Sequence, residues 1–205
     1  MNSLPSCHRL IAACIAGACL VGCSFLKPSG ITPRTFVLTP IKSGPASPSA
    51  WLTNIVVGMK TVNVPGYLSG KGFAMRKGSN EIVYLEGAEW AERIDTALQR
   101  TVAANLCSLI PTDQVRLSLW DAGTVSVQVE INVEQFDVDA SGEAVLKIWW
   151  RILSGKGDSI DSGRFSEARK GPSPKMDTGG AAASMSALVT DFSKMLAQDI
   201  QQGKN

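Results

Sequence analysis

From Val125 to Leu153 apolar residues recur at every second position, and no other feature of the sequence narrows the fold as much. Val125, Val127, Val129, Ile131 and Val133 alternate with Ser126, Gln128, Glu130, Asn132 and Glu134. A period of two sends successive side chains to opposite faces of a strand, so this stretch has one dry face and one wet face. At Gln135 the phase slips and Phe136 and Val138 take over, which calls for a β-bulge near Glu134 and Gln135. Asp139-Ala140-Ser141-Gly142 then turns the chain. In the next strand Ala144, Leu146, Ile148, Trp150 and Ile152 form the inner face, and Val145, Lys147, Trp149, Arg151 and Leu153 the outer. Ser154-Gly155-Lys156-Gly157-Asp158 turns again into a third strand, Ile160 to Ala168. Strands joined by tight turns make an antiparallel meander, and its dry face has to be covered.

Two segments of helical period supply the cover. Between Ala88 and Ile110 the apolar residues Trp90, Ile94, Ala97, Leu98, Val102, Leu106 and Leu109 recur at helical spacing, and Pro111 ends the run. Cys107 lies on this stretch and is read as a small buried hydrophobe. After a polar loop from Arg169 to Gly180, Met185, Leu188, Val189, Phe192, Leu196 and Ile200 form a second stripe. Shorter β-prone runs precede the first helix: Arg34 to Leu38, Asn54 to Val62, and Phe73 to Arg76 with Glu81 to Tyr84 about the turn Lys77 to Asn80. Val115, Leu117 and Leu119 alternate after Pro111. This order describes an α+β fold, a mixed and largely antiparallel sheet with two main helices packed on one face.

The N-terminal segment is of a different kind. Arg9 is followed by thirteen small or apolar residues, Leu10 to Gly22, which suits a signal-peptide core. A transmembrane helix needs about 20. The run ends in Leu20-Val21-Gly22-Cys23, which resembles the bacterial lipobox. By that resemblance Cys23 is the lipidation site, with diacylglycerol on its thiol and an N-acyl chain, such as palmitate, on its freed amine. Two or more chains give stable membrane anchoring. Ser24 follows, rather than aspartate, which by resemblance to sorted lipoproteins points to the outer membrane with the domain facing the periplasm. Prolines 28, 33, 40, 45 and 48 among Ser and Gly make a semi-extended stretch, broken by the first strand. The chain therefore divides into a signal peptide (1–22), a lipidated tether (23–33) and a single domain (34–205).

Composition excludes several functions. The single histidine, His8, leaves with the signal, and so do three of the five cysteines; Cys23 is taken by lipid, and Cys107 is left without a disulfide partner. No imidazole remains for a triad, a proton shuttle or a zinc site, so no metal site and no cofactor is expected apart from the covalent lipid on Cys23. The signal carries one of the 20 basic residues and none of the 18 acids, leaving the mature chain near +1 and without a field to attract nucleic acid. Ser69-Gly70-Lys71-Gly72 and Ser154-Gly155-Lys156-Gly157 lack a Ser or Thr after the lysine and read as turns, not phosphate loops. Asp137 and Asp139 could form a carboxylate pair, but their place beside a Ser-Gly turn favours a solvated hairpin end.

Two places stand out as contact surfaces. Trp149 shares the outer face of its strand with Lys147 and Arg151; either a helix covers it or it meets a partner. Pro65-Gly66-Tyr67-Leu68 is a turn that would project an aromatic and an aliphatic side chain outward, unless both pack under the sheet.

Val64-Pro65-Gly66-Tyr67-Leu68, Arg76, Asn80-Glu81, Trp90-Ala91-Glu92, Ala97-Leu98 and Asn105-Leu106, in this order and spacing, resemble the ABC-transporter auxiliary lipoproteins of the PqiC/YmbA type. The resemblance spans most of residues 23 to 200. Members commonly carry a polar residue, Arg and Pro after the Tyr-Leu, where this chain has Ser69 to Gly72, and a proline where it has Arg93. The resemblance implies a non-catalytic accessory of an MCE-type ABC lipid transport system. Its partners would be the membrane, an MCE-domain protein and, as a further option, copies of itself. A carrier holding lipid in its own cavity, an activator of another envelope assembly machine and a carboxylate-dependent hydrolase using Asp137 and Asp139 are the rival readings.

Overall fold

The computed structural model describes residues 32–42, 55–110, 114–121 and 123–202. The signal segment, Cys23, most of the tether, Asn54 and Pro111 lie outside the described residues. The elements are β1 (Arg34–Phe36), β2 (Val57–Met59), a 3-10 turn (Gly66–Leu68), β3 (Gly72–Lys77), β4 (Glu81–Trp90), α1 (Ile94–Leu109), β5 (Val115–Leu117), β6 (Val127–Asp139), β7 (Glu143–Ser154), β8 (Ser159–Lys170) and α2 (Thr178–Gln202).

The meander β6-β7-β8 is the backbone of the sheet, antiparallel throughout. The expected bulge is present: pairing runs Val133 with Ile148, then Gln135 with Lys147. That one-residue slip puts Phe136 and Val138 in the core beside Val129, Ile131 and Val133. At the β6–β7 turn Asp139 Oδ1 accepts from the Ser141 amide and hydroxyl and from the Glu143 amide. Gly142 takes φ +90° there, and a Cβ would meet the Gly171 carbonyl at 2.3 Å.

The second edge of β6 is shared. Its first half pairs with β2 in parallel, and its last residues pair with β3, also in parallel. β5 extends the sheet beyond β2; β4 and then β1 extend it beyond β3. The result is one eight-stranded mixed sheet whose longest ladders are antiparallel, covered by two helices, which is the expected α+β class. α2 lies on β6, β7 and β8 and against α1. Its Phe192 packs edge-on against Phe165 at 5.5 Å. Leu98 and Phe192, the apolar faces chosen from the helical period, are both core residues. Among the described residues no helix is long and apolar enough to cross a membrane.

A polar seam fastens the chain after β1 to the helix pair. The Thr39 amide donates to Ser186 Oγ at 3.1 Å and the Ile41 amide to Asn105 Oδ1 at 2.8 Å. Asn105, buried between the helices, donates in turn to Ser193 Oγ at 3.0 Å. Every polar atom of its amide is thus used, which offsets the cost of burying it.

Several local expectations are corrected. Helical period suggests a start at Ala88, but β4 runs on to Trp90, because Ala88 and Trp90 pair with β1 and the Trp90 ring stacks on Phe73 at 4.9 Å. The helix starts at Ile94, and Cys107 lies exposed on α1 rather than in the core. Leu153 keeps the outer-face register, opposite Gln128, but is buried there rather than wet. Ser118 adopts φ +65°, which breaks the alternation after Leu117 and leaves Leu119 exposed. α2 begins at Thr178, ahead of the expected Gly180, with Asp177 Oδ1 accepting from the Gly180 amide.

Candidate docking surface

Helices cover one face of the sheet, and the other face gathers the aromatic and charged residues that the sequence singled out. Near the C-terminal end of β6, Pro65 leads into the 3-10 turn Gly66–Leu68. The expectation that this turn projects Tyr67 and Leu68 outward is corrected. Leu68 is buried, and the Tyr67 ring packs against the core with its hydroxyl directed at the β6 bulge. There Tyr67 Oη donates to Asp137 Oδ2 at 2.8 Å and accepts from the Phe136 amide at 3.2 Å. The exposed residues of the motif and its continuation are Gly66, Ser69, Gly70 and Lys71, with Pro65 half-buried.

Asp137 is the centre of that end, and at 1% exposure it is no solvated hairpin residue. Arg76 Nη2 donates to its Oδ2 at 2.6 Å, Arg76 Nε reaches Oδ1 at 3.1 Å, and Gln135 Nε2 reaches Oδ1 at 2.9 Å. Both carboxylate oxygens are therefore saturated by donors. Asp139 is occupied separately in the hairpin turn. The two acids do not form the pair that acid-base chemistry would need. Burial pushes the Tyr67 phenol up to about 12, reinforced by the neighbouring carboxylate. Hydrogen bonding to Asp137 holds the Arg76 guanidinium above its ordinary value.

Tyr84, a residue that sequence reasoning passed over, is the exposed ring at this end, at 54%. Its hydroxyl donates to the Tyr67 carbonyl at 2.8 Å. Its ring lies over Gly72, where a Cβ would come within 2.7 Å. That contact explains the glycine at the end of Ser69-Gly70-Lys71-Gly72, and the signal for it was a glycine opening a strand, which marks the close approach of another group.

Further along the same face, Trp149 is half-buried and uncovered by any helix of the described residues. Across the ladder it faces Asn132 on β6 and Arg164 on β8. The Arg151 guanidinium sits 5.9 Å from its ring centroid. Glu130 holds two cations, Lys60 at 2.6 Å and Arg151 at 2.5 Å. Burial pushes the Glu130 carboxyl up, but hydrogen bonds from Lys60 and Arg151 outweigh it and hold the group below the usual range. Trp120 lies across Gly58, where a Cβ would meet its ring at 2.8 Å. The structure does not bring Trp149 and the Pro65–Leu68 turn together: Trp149 lies on the open face, whereas Leu68 is buried and Tyr67 packs against the core.

The model of the ABC-type transport auxiliary lipoprotein component matches residues 36–198, which takes in β2 to β8, α1, most of α2 and the last residue of β1. The chain belongs to this family. It is 25% identical over 146 residues to the intermembrane transport lipoprotein PqiC of Escherichia coli K12, covering 71% of this chain and 74% of that protein. The PqiC of Shigella flexneri matches with the same identity and coverage. A crystallised protein from Xanthomonas campestris shares the fold with a TM-score of 0.63 at 19% identity, over 84% of this chain and 96% of the other. A further crystallised protein does so with a TM-score of 0.66 at 21% identity, over 82% of this chain and 99% of its own length. Transport auxiliary lipoprotein is therefore the established description, and the residues above are what this member of the family presents on its open face.

Proposed function

We propose that the chain is a non-catalytic accessory of an MCE-type ABC lipid transport system, held at the periplasmic side of the outer membrane by acyl chains on Cys23. In this reading residues 1–22 are the signal peptide, 23–33 the lipidated tether and 34–205 the docking domain. Its task is positional: the anchor holds the domain, and the domain holds the end of the MCE-domain conduit. The observation that carries the reading is the family match over residues 36–198 joined to an open face rich in aromatic and cationic side chains. Trp, Tyr and Arg are the residue types enriched at binding hot spots.

The tether sets the working distance. Pro33 lies ten positions after Cys23, and an extended chain rises about 3.3–3.6 Å per residue, so the domain stays within roughly 35 Å of the bilayer. The polar seam from Thr39 to Ser193 then transmits any pull on the tether to both helices.

Chemistry on the substrate has little support. Asp137 is saturated by Arg76, Tyr67 and Gln135, and Asp139 by its own turn. A carrier would need an enclosed apolar cavity. The cleft of about 420 Å³ between Val37–Pro40 and α1 opens to solvent and is lined in part by Glu92 and Arg100, which pair with each other at 3.0 Å.

The test is co-purification of the full-length lipoprotein with the MCE-domain protein of the cognate transporter, from cells carrying wild type or Cys23→Ser. Wild type is expected in the outer membrane with the MCE protein bound. Cys23→Ser is expected to leave that fraction while its domain remains folded. A wild-type protein that carries an unmodified Cys23, or that never retains the MCE protein, would overturn the reading.

A further inference from the structure

Around Trp149 the open face carries more cations than it has carboxylates to pair them. Lys60, Lys147, Arg151 and Arg164 stand against Glu130 and Glu134. Glu130 is divided between Lys60 and Arg151. An ammonium offers three donors and a guanidinium five, so both cations keep donors free for another acceptor. Arg164, whose side chain is 74% exposed, lies directly across the ladder from Trp149 and reaches Glu134 only at 3.6 Å. Glu130 also orients Arg151 over the indole before anything binds, so less side-chain freedom is lost on association.

We propose that this face, centred on Trp149, is the docking site for an acidic peptide segment of a partner protein. Arg151, Arg164 and Lys147 take the carboxylates of the segment, and an apolar side chain rests on the Trp149 ring. The inference deepens the docking role proposed above and rests on it. Guanidinium groups pair carboxylates in a two-pronged geometry, which favours Asp and Glu side chains as the bound groups. The interleaving of Glu130 and Glu134 among the cations argues for a peptide over an anionic bilayer. A uniform lipid surface meets like charge at both acids, whereas a peptide can place its own side chains between them.

The experiment uses the full-length lipoprotein held in phosphatidylcholine nanodiscs and a fluorescein-labelled peptide of alternating Glu and Leu, followed by fluorescence anisotropy. Saturable binding is expected, weakening at high salt and unaffected by an alternating Lys and Leu peptide. Lys147→Glu combined with Arg164→Glu should weaken it at least about tenfold; both side chains are exposed, so folding should survive, as circular dichroism checks. Trp149→Ala should weaken it comparably. No saturable binding, or binding that both variants retain, would overturn the proposal. Displacement of the peptide by phosphatidylglycerol vesicles would also overturn it, by assigning the face to lipid. Loss of the peptide site with MCE co-purification intact would remove this inference alone. Peptide binding without MCE co-purification would instead remove the partner assigned above.

Discussion

Replacing Asp137 by Asn tests whether the open face is built on a buried ion pair. The amide keeps the size of the carboxylate but removes its charge and turns one acceptor into a donor. That donor would face Arg76, Tyr67 or Gln135, which all donate to Asp137 in the native protein. Removing one partner from a buried pair costs about 3–5 kcal/mol, because the other charge is left uncompensated. The Arg76 side chain is 26% exposed and can regain some water, so the lower end, about 3 kcal/mol, is expected. For a domain of this size each kcal/mol lowers Tm by about 2–4 °C, which gives a fall of roughly 6–12 °C. Urea unfolding and calorimetry on the same preparation measure both quantities. Asp139→Asn, which disturbs only a hairpin turn, should cost nearer 1 kcal/mol. A loss below about 1 kcal/mol for Asp137→Asn would mean that the pair is screened like a surface salt bridge, and the argument from burial would fail.

Tyr67 and Tyr84 are the two tyrosines of the chain, so Tyr84→Phe isolates Tyr67 for ultraviolet titration, with a midpoint expected near about 12. Because its folded pKa is raised, the stability it contributes is intact below about 10 and is lost as pH rises towards about 12; an ordinary midpoint near 10 would place the hydroxyl in water. Leu98→Ala should cost about 2–5 kcal/mol by chemical denaturation, since Leu98 is fully enclosed, and a cost near zero would contradict its place in the core. Gly163→Val should lower stability by about 1–3 kcal/mol or more, because a Cβ there meets the Trp150 ring at 2.8 Å; an unchanged melting temperature would show that the ring moves freely.

What the sequence made legible was local. The alternation of β6 and β7 and the phase slip at Gln135 are written in neighbouring residues, and so are the two helical stripes with Leu98 and Phe192. The parallel pairing of β2 and β3 to opposite halves of β6 joins segments some 60 to 70 positions apart, and no period records it. Trp90 fits the helical spacing equally well, but β1 and Phe73 draw it into a strand. The candidate docking surface was legible in its members and not in their arrangement. Trp149 stands out because a tryptophan between Lys147 and Arg151 is unusual on a wet face. Tyr67 misleads, since a Pro-Gly turn can aim a side chain either way, and the deciding partners, Asp137 and Arg76, come from two other strands.

The claim that the chain docks a partner through its helix-free face meets its most direct test in a site-specific photo-crosslink. A benzophenone side chain at position 149 in the lipidated, full-length protein, irradiated in cells with the cognate transporter, should form an adduct with the MCE-domain protein. The same probe at Met176, 89% exposed in the loop before α2, should form none. Adducts of equal yield from both positions, or from Met176 alone, would contradict the account.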